Sequence, residues 1–139
     1  MNDSDLFATI LLLAILNISM SELIMDVTIY HNPRCSKSRE TLQLLQAQGI
    51  EPTIRLYLED NPSAKELKQV INKLGITPRE LLRKGEGAYK ENKLNNKELS
   101  DDALIEAMVE FPKLIERPIV IKGDQAKLGR PPEHVLEIL

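Results

Sequence analysis

The stretch DVTIYHNPRCSKSRETLQLLQAQGIEPTIRLY, residues 26–57, decides the fold. Asp26 to Tyr30 is rich in β-branched and aromatic residues and is broken off by His31-Asn32-Pro33, which reads as a short strand. Ser36 to Gln48 is a run of helix formers with Leu42 and Leu45 on one face, and Gly49 is placed to close it as a C-cap. Thr53 to Tyr57 returns to a strand pattern. A strand–helix–strand crossover of this kind pairs its two strands in parallel.

Three helices are expected downstream of this unit. Ser63 and Glu66 form a capping-box pattern ahead of Leu67, Val70, Ile71 and Leu74, which recur at helical spacing. Thr77, Pro78 and Glu80 repeat the device with proline at the first helical position. Ser100, Asp101 and Asp102 lead into Leu104, Ile105, Met108 and Val109, with the acids suited to a helix N-terminus. Gly85 to Lys97, between the second and third helices, is polar and reads as irregular. Pro118 to Ile121 is a third strand, Gly123-Asp124 a turn, and Ala126 to Leu128 a short fourth strand, so the last two form a hairpin. Pro131-Pro132-Glu133 opens a final helix carrying Val135, Leu136 and Leu139. The order is βαβ, helices, ββα. It implies an α/β, thioredoxin-like fold with a helical insertion between the second and third strands, in which residues 25–139 make one domain.

The chain has 139 residues, enough for one domain to build its own core. A net charge of −3 gives no reason to expect nucleic acid or an anionic membrane as partner. Phe7 to Leu16 is apolar, yet about half of what a membrane-spanning helix needs. MNDSD ahead of it carries no Lys or Arg, unlike the start of a secretory signal. Residues 1–24 therefore read as an N-terminal extension, an over-long gene start, with Met25 as the natural first residue. The alternative is an amphipathic N-terminal helix, and mass spectrometry of the natively expressed protein separates the two. The single cysteine, Cys35, excludes an intramolecular disulfide and favours a cytoplasmic location. One Cys with two distant histidines, His31 and His134, does not resemble a metal site, and no bound cofactor is expected.

The informative segment is His31-Asn32-Pro33-Arg34-Cys35-Ser36-Lys37-Ser38-Arg39, where a strand ends and a helix begins. The first amide N–H groups of a helix have no intrahelical partner. Such an end binds anions, and it lowers a cysteine pKa from about 8.5 towards roughly 3.5–7.5. Arg34, Lys37 and Arg39 add positive charge, so a thiolate and an anion site coincide. A buried structural cysteine would have apolar neighbours; Cys35 has Pro, Arg, Ser and Lys. A dithiol oxidoreductase would read C-x-x-C, and the second position here is Ser38. A cysteine phosphatase loop would carry arginine where Thr41 stands. The chemistry is monothiol, and the second sulfur must come from another molecule.

Three further arginines, Arg83, Arg117 and Arg130, suit a tetrahedral oxyanion through their forked guanidinium groups. Arg117 precedes Pro118 at the start of a strand, the place that thioredoxin-like folds give to a cis-proline facing the active cysteine. A cis bond at Pro118 is therefore expected.

Taken together, HNPxCxxSR, LYLE at 56–59, LLRK at 81–84, ERPIV at 116–120 and GRPPE at 129–133 resemble the arsenate reductase family that couples to glutaredoxin. The resemblance runs from Asp26 to Leu139. It implies that Cys35 attacks arsenate and that Arg83, Arg117 and Arg130 take the family's oxyanion-handling positions. It further implies a covalent Cys35–arsenic adduct, glutathione as co-substrate and glutaredoxin as reducing partner, with arsenite released. Ser38, Arg39, Pro118 and His31 are supporting residues, and His31 is placed to help set the Cys35 pKa without acting as a base. PRCSKSR, rather than PACGTSR, is similar to the shorter chromosomal members, for which arsenate need not be the main substrate. Two alternatives stand beside this reading. One is a monothiol glutathione-dependent thiol transferase, distinguished by turnover of a small disulfide. The other is a redox-linked regulatory binding module, distinguished by capture of RNA polymerase.

Overall fold

A computed structural model describes residues 3–16 and 26–139. Helix α1 spans Asp3–Leu16. Its sequence is apolar from Phe7 to Leu16 apart from Thr9, and Phe7, Ile10, Leu11, Leu12 and Ile15 are exposed, so it is a helix without the polar face expected of an amphipathic one. Met25, the expected start residue, lies outside the described residues.

The βαβ unit forms as the sequence predicts: β1 is Val27–Tyr30, α2 is Ser36–Ala47 and β2 is Thr53–Arg55. Strand β2 stops two residues earlier than expected, and its exposed Thr53 and Ile54 mark it as the sheet edge. Helix α2 ends with Gln48 as its cap and Gly49 at φ 78°, and the Ile50 N–H reaches back to the Leu45 carbonyl at 3.0 Å. That is the left-handed exit for which glycine is suited.

The insertion holds α3 (Ala64–Leu74), α4 (Pro78–Leu81), α5 (Gly87–Glu91) and α6 (Asp101–Glu110). Short helix α5 falls where an irregular segment was expected. Thr77 and Glu80 form a complete capping box. The Ser63 box is only half made: Ser63 accepts from the Glu66 N–H at 3.1 Å, but the Glu66 carboxylate turns to the Tyr30 hydroxyl and to Arg55. A 3₁₀ turn at Pro112–Leu114 leads to the hairpin of β3 (Ile119–Lys122) and β4 (Gln125–Leu128). The last helix, Pro132–Ile138, is 3₁₀ and not α.

The sheet order is β2-β1-β3-β4, with β1 parallel to β2 and antiparallel to β3. Period-2 alternation divides its residues between two cores. Val27, Ile29 and Val120 pack under Leu45 of α2 and Val135 and Ile138 of the last helix. Tyr30, Ile119 and Ala126 face Leu67, Val70 and Ile71 of α3 and Leu104, Ile105 and Met108 of α6. The layers are thus helices on both faces of a mixed sheet, the thioredoxin-like arrangement.

Two local devices carry distant segments toward Cys35. The end of α4 pairs with the strand lead-in, through an Arg83 N–H to Leu114 carbonyl bond of 2.8 Å and a Glu116 N–H to Leu81 carbonyl bond of 2.9 Å. Gly129 donates to the Pro118 carbonyl at 2.9 Å, and a Cβ there would lie 2.5 Å from Thr41 Oγ1 and 2.8 Å from Pro118 Cγ. Only glycine fits between α2 and Pro118, and that close approach sets Arg130 beside Arg117. Both Arg117-Pro118 and Arg130-Pro131 are cis; the first was expected and the second was not.

Candidate active site

The cysteine turn is organised by Asn32. Its carbonyl accepts the Cys35 N–H at 3.0 Å, its side-chain oxygen accepts the Arg34 N–H at 3.0 Å, and its own N–H donates to Ser38 Oγ at 3.0 Å. Cys35 stands at the N-cap of α2 in extended backbone, and its carbonyl accepts the Arg39 N–H at 3.0 Å to begin the helix. The thiol is buried, with 8% of the residue exposed. Burial pushes its pKa up. The backbone N–H of Ser38, the Arg117 charge, the backbone N–H of Lys37 and the Arg130 charge together outweigh it and hold the thiol below its ordinary value.

Arg83, Arg117 and Arg130, the arginines expected to handle an oxyanion, do meet, and they meet on a carboxylate. Glu116 Oε1 lies 3.1 Å from Arg117 Nη1, 3.8 Å from Arg130 Nε and 3.9 Å from Arg83 Nε. Arg83 is also paired with Glu86 at 2.6 Å, and Arg130 Nη1 reaches the Arg117 carbonyl at 3.4 Å. Arg117 is the most buried of the three, and its Nε has no hydrogen-bond partner among the described residues. A cavity of about 320 Å³ opens against two of the three, Arg83 and Arg117, and is lined also by Asn32, Tyr57 and Glu86. That is roughly ten times the ~30 Å³ share of one liquid water, room enough for a tetrahedral oxyanion.

The supporting residues divide. Ser38 belongs to the site twice, through its backbone N–H toward the sulfur and through a buried hydroxyl 2.6 Å from His31 Nδ1. His31 is buried, and its own pKa is lowered by burial and by the Arg39 charge. Arg39 does not join the arginine group; its Nη1 donates to the Pro33 carbonyl at 2.9 Å and ties the turn to α2. Lys37 pairs with Glu40 in solvent.

Sequence reasoning missed three contributors. Asn32 and Glu116 stand inside the quoted motifs, but nothing in their spacing shows that one organises the turn and the other gathers the arginines. Tyr57 is 1% exposed beside Cys35 and the arginines. Burial pushes its hydroxyl up to about 12 against the lowering charges of Arg117 and Arg83, so it is a neutral phenol in the floor of the site. It stands two residues beyond β2, inside the quoted LYLE motif, whose spacing does not show that it lies under the arginines.

The profile of the ArsC family matches residues 30–138. The uncharacterized protein YfgD of Escherichia coli strain K12 is 55% identical over 115 residues, covering 82% of this chain and 97% of that protein. A Haemophilus influenzae protein named arsenate reductase is 55% identical over 116 residues, 83% of this chain and all of that one. The solved structure of the arsenate reductase from Vibrio cholerae superposes with a TM-score of 0.81 at 59% identity, covering 83% of this chain and 98% of its own.

Proposed function

The chain belongs to the ArsC family, and on that premise we propose that it is a thiol-dependent arsenate reductase with Cys35 as nucleophile. The observation that carries this reading is a single thiol, held below its ordinary pKa, on which Arg117 and Arg130 act from the same cluster that contains Arg83. A thiolate and a three-arginine anion site side by side match covalent attack on a tetrahedral oxyanion.

In the proposed cycle the Cys35 sulfur forms a bond to arsenic and one arsenate oxygen leaves as water, with arsenic still pentavalent. Arg83, Arg117 and Arg130 balance the charge of the remaining oxygens. Glutathione, the co-substrate, replaces a second oxygen through its own sulfur. Glutaredoxin then attacks the glutathione sulfur. The sulfur–arsenic bond breaks with its electron pair left on arsenic, giving trivalent arsenic and a glutaredoxin–glutathione mixed disulfide. Water releases arsenite and returns Cys35. One disulfide forms for each two-electron reduction, and this chain needs no second cysteine. The cycle suits the reducing cytoplasm and a role in arsenic detoxification. A second cavity, lined by His31, Pro33, Arg34, Leu56, Leu58 and Lys113 among others, lies against the same turn and is the place we assign to the thiol partner.

The test is NADPH oxidation coupled through glutathione reductase, glutaredoxin and glutathione with arsenate as acceptor, beside Cys35→Ser. Arsenate-dependent turnover should be lost in the variant while its fold is kept, because sulfur nucleophilicity goes at little steric cost. Turnover that survives in Cys35→Ser would remove the nucleophile from this proposal. Turnover of a small disulfide but not of arsenate would move the reading to a thiol transferase.

A further inference from the structure

Glu116 is a poor fit for the position it holds. One carboxylate oxygen, Oε1, serves three guanidinium groups, and only the 3.1 Å contact to Arg117 is at hydrogen-bond distance. The contacts of 3.8 Å to Arg130 and 3.9 Å to Arg83 are ion pairs without a hydrogen bond. Arg117 Nε, buried, is left with no partner among the described residues. Three guanidinium groups offer many more donors than one oxygen can accept, whereas a tetrahedral dianion brings several oxygens and twice the charge. Glu116 is itself about a quarter exposed and sits just before β3, so its side chain has a way out toward solvent.

We propose that Glu116 is an internal counter-ion that holds the arginine cluster together while no substrate is bound, and that an incoming tetrahedral oxyanion displaces it. The residue is then a positioning and affinity-setting group. It balances the like charges of Arg117 and Arg130 between turnovers, with Arg83 shared with Glu86, and it makes the substrate compete for them. This rests on the reading of the arginines as the oxyanion site. It adds to that reading a built-in competitor that sets how much oxyanion the site requires.

Alkylation of Cys35 by iodoacetamide, with arsenate added and no other thiol present, tests this without relying on turnover. Arsenate should slow the alkylation of the wild-type protein. Glu116→Gln keeps the side chain's size and removes its charge, and the arsenate concentration that halves the rate should fall by about tenfold, the scale of one charge-assisted hydrogen bond. Glu116→Asp, whose carboxylate is drawn back by one methylene, should fall between the two, and it carries the test should the glutamine variant not fold. The pH midpoint of alkylation should not rise, because the substitution removes a negative charge and leaves in place the arginines that lower the thiol pKa. Unchanged or weakened protection in the variants, with normal protection in the wild type, overturns the counter-ion and leaves the oxyanion site standing. An upward shift of the midpoint with weaker protection overturns the displaceable competitor, since Glu116 would then act only as a fixed clamp on the arginines. Absence of protection in all three proteins overturns the oxyanion site as well.

Discussion

The cysteine turn is built from nine consecutive residues, 31–39, and its bonds run almost wholly within that stretch. The arginine cluster is drawn from three separate places: Arg83 after α4, Arg117 before β3 and Arg130 after β4. The turn is fixed by local geometry and carries the sulfur. The cluster is fixed by packing between layers, by the pairing of α4 with the lead-in to β3 and by the close approach at Gly129. The proposed nucleophile and the proposed anion site are thus held by independent means, and damage to one should leave much of the other in place.

The sharpest way to break that division lies among the arginines themselves. Arg117 and Arg130 are the arginines whose charges chiefly lower the Cys35 pKa. Arg117→Gln should therefore cost oxyanion handling and thiol activation together. Removal of one charge-stabilising donor from such a site costs about 100-fold or more in turnover. The pH midpoint of Cys35 alkylation should also rise, leaving less thiolate at neutral pH. Arg83→Gln should weaken arsenate use without moving the midpoint. If Arg83→Gln raised it as far as Arg117→Gln, the cluster would act on the sulfur as one body and the division would fail.

Ser38 tests the division from the other side. Its hydroxyl accepts the Asn32 N–H and faces His31 Nδ1, whereas its contribution to the thiol comes from the backbone. Ser38→Ala leaves a buried imidazole nitrogen and a half-buried backbone N–H without their partner, at a cost of about 1–3 kcal/mol in unfolding free energy. Denaturant titration should show that loss, and the alkylation midpoint should hardly move. A large rise in the midpoint would mean that the hydroxyl network positions the thiolate after all.

The same contrast explains what the sequence discloses. Cys35, the N-terminus of α2 and the strand before it lie within one window, so propensity, capping and charge all point the same way. The βαβ unit and the β3–β4 hairpin are legible for the same reason. The arginines are legible only as members of a set in family order, because taken singly each looks like a surface residue. Glu116 and Tyr57 stay hidden because their roles arise from packing between segments, which spacing does not encode. Arg39 shows the opposite failure: its charge lies near Cys35 along the chain, but helix direction carries its guanidinium back to Pro33. The half-made box at Ser63 has a similar origin, since Tyr30 and Arg55 outbid the local backbone for Glu66.

The smallest expected effect concerns His31, which joins the turn to the fold's stability. Ser38 Oγ already accepts the Asn32 N–H, which leaves the hydroxyl proton for Nδ1 of a neutral imidazole. Burial, and after it the Arg39 charge, disfavour the protonated ring and lower the imidazole pKa. In the unfolded chain the ring titrates near its ordinary value of about 6.5. Between the two values the unfolded state binds more protons than the folded one. Stability from this group is therefore fully present above about pH 6.5 and is lost as pH falls from there through the folded pKa. Thermal melts from pH 7.5 to 5 should show a falling Tm in the wild type. His31→Gln, which cannot titrate, should show a flatter slope over the same range. Carboxylates contribute equally to both proteins, so the difference between the slopes isolates the imidazole. Parallel slopes would mean that His31 takes up its proton within the fold, and that the turn tolerates the charge that burial and Arg39 disfavour.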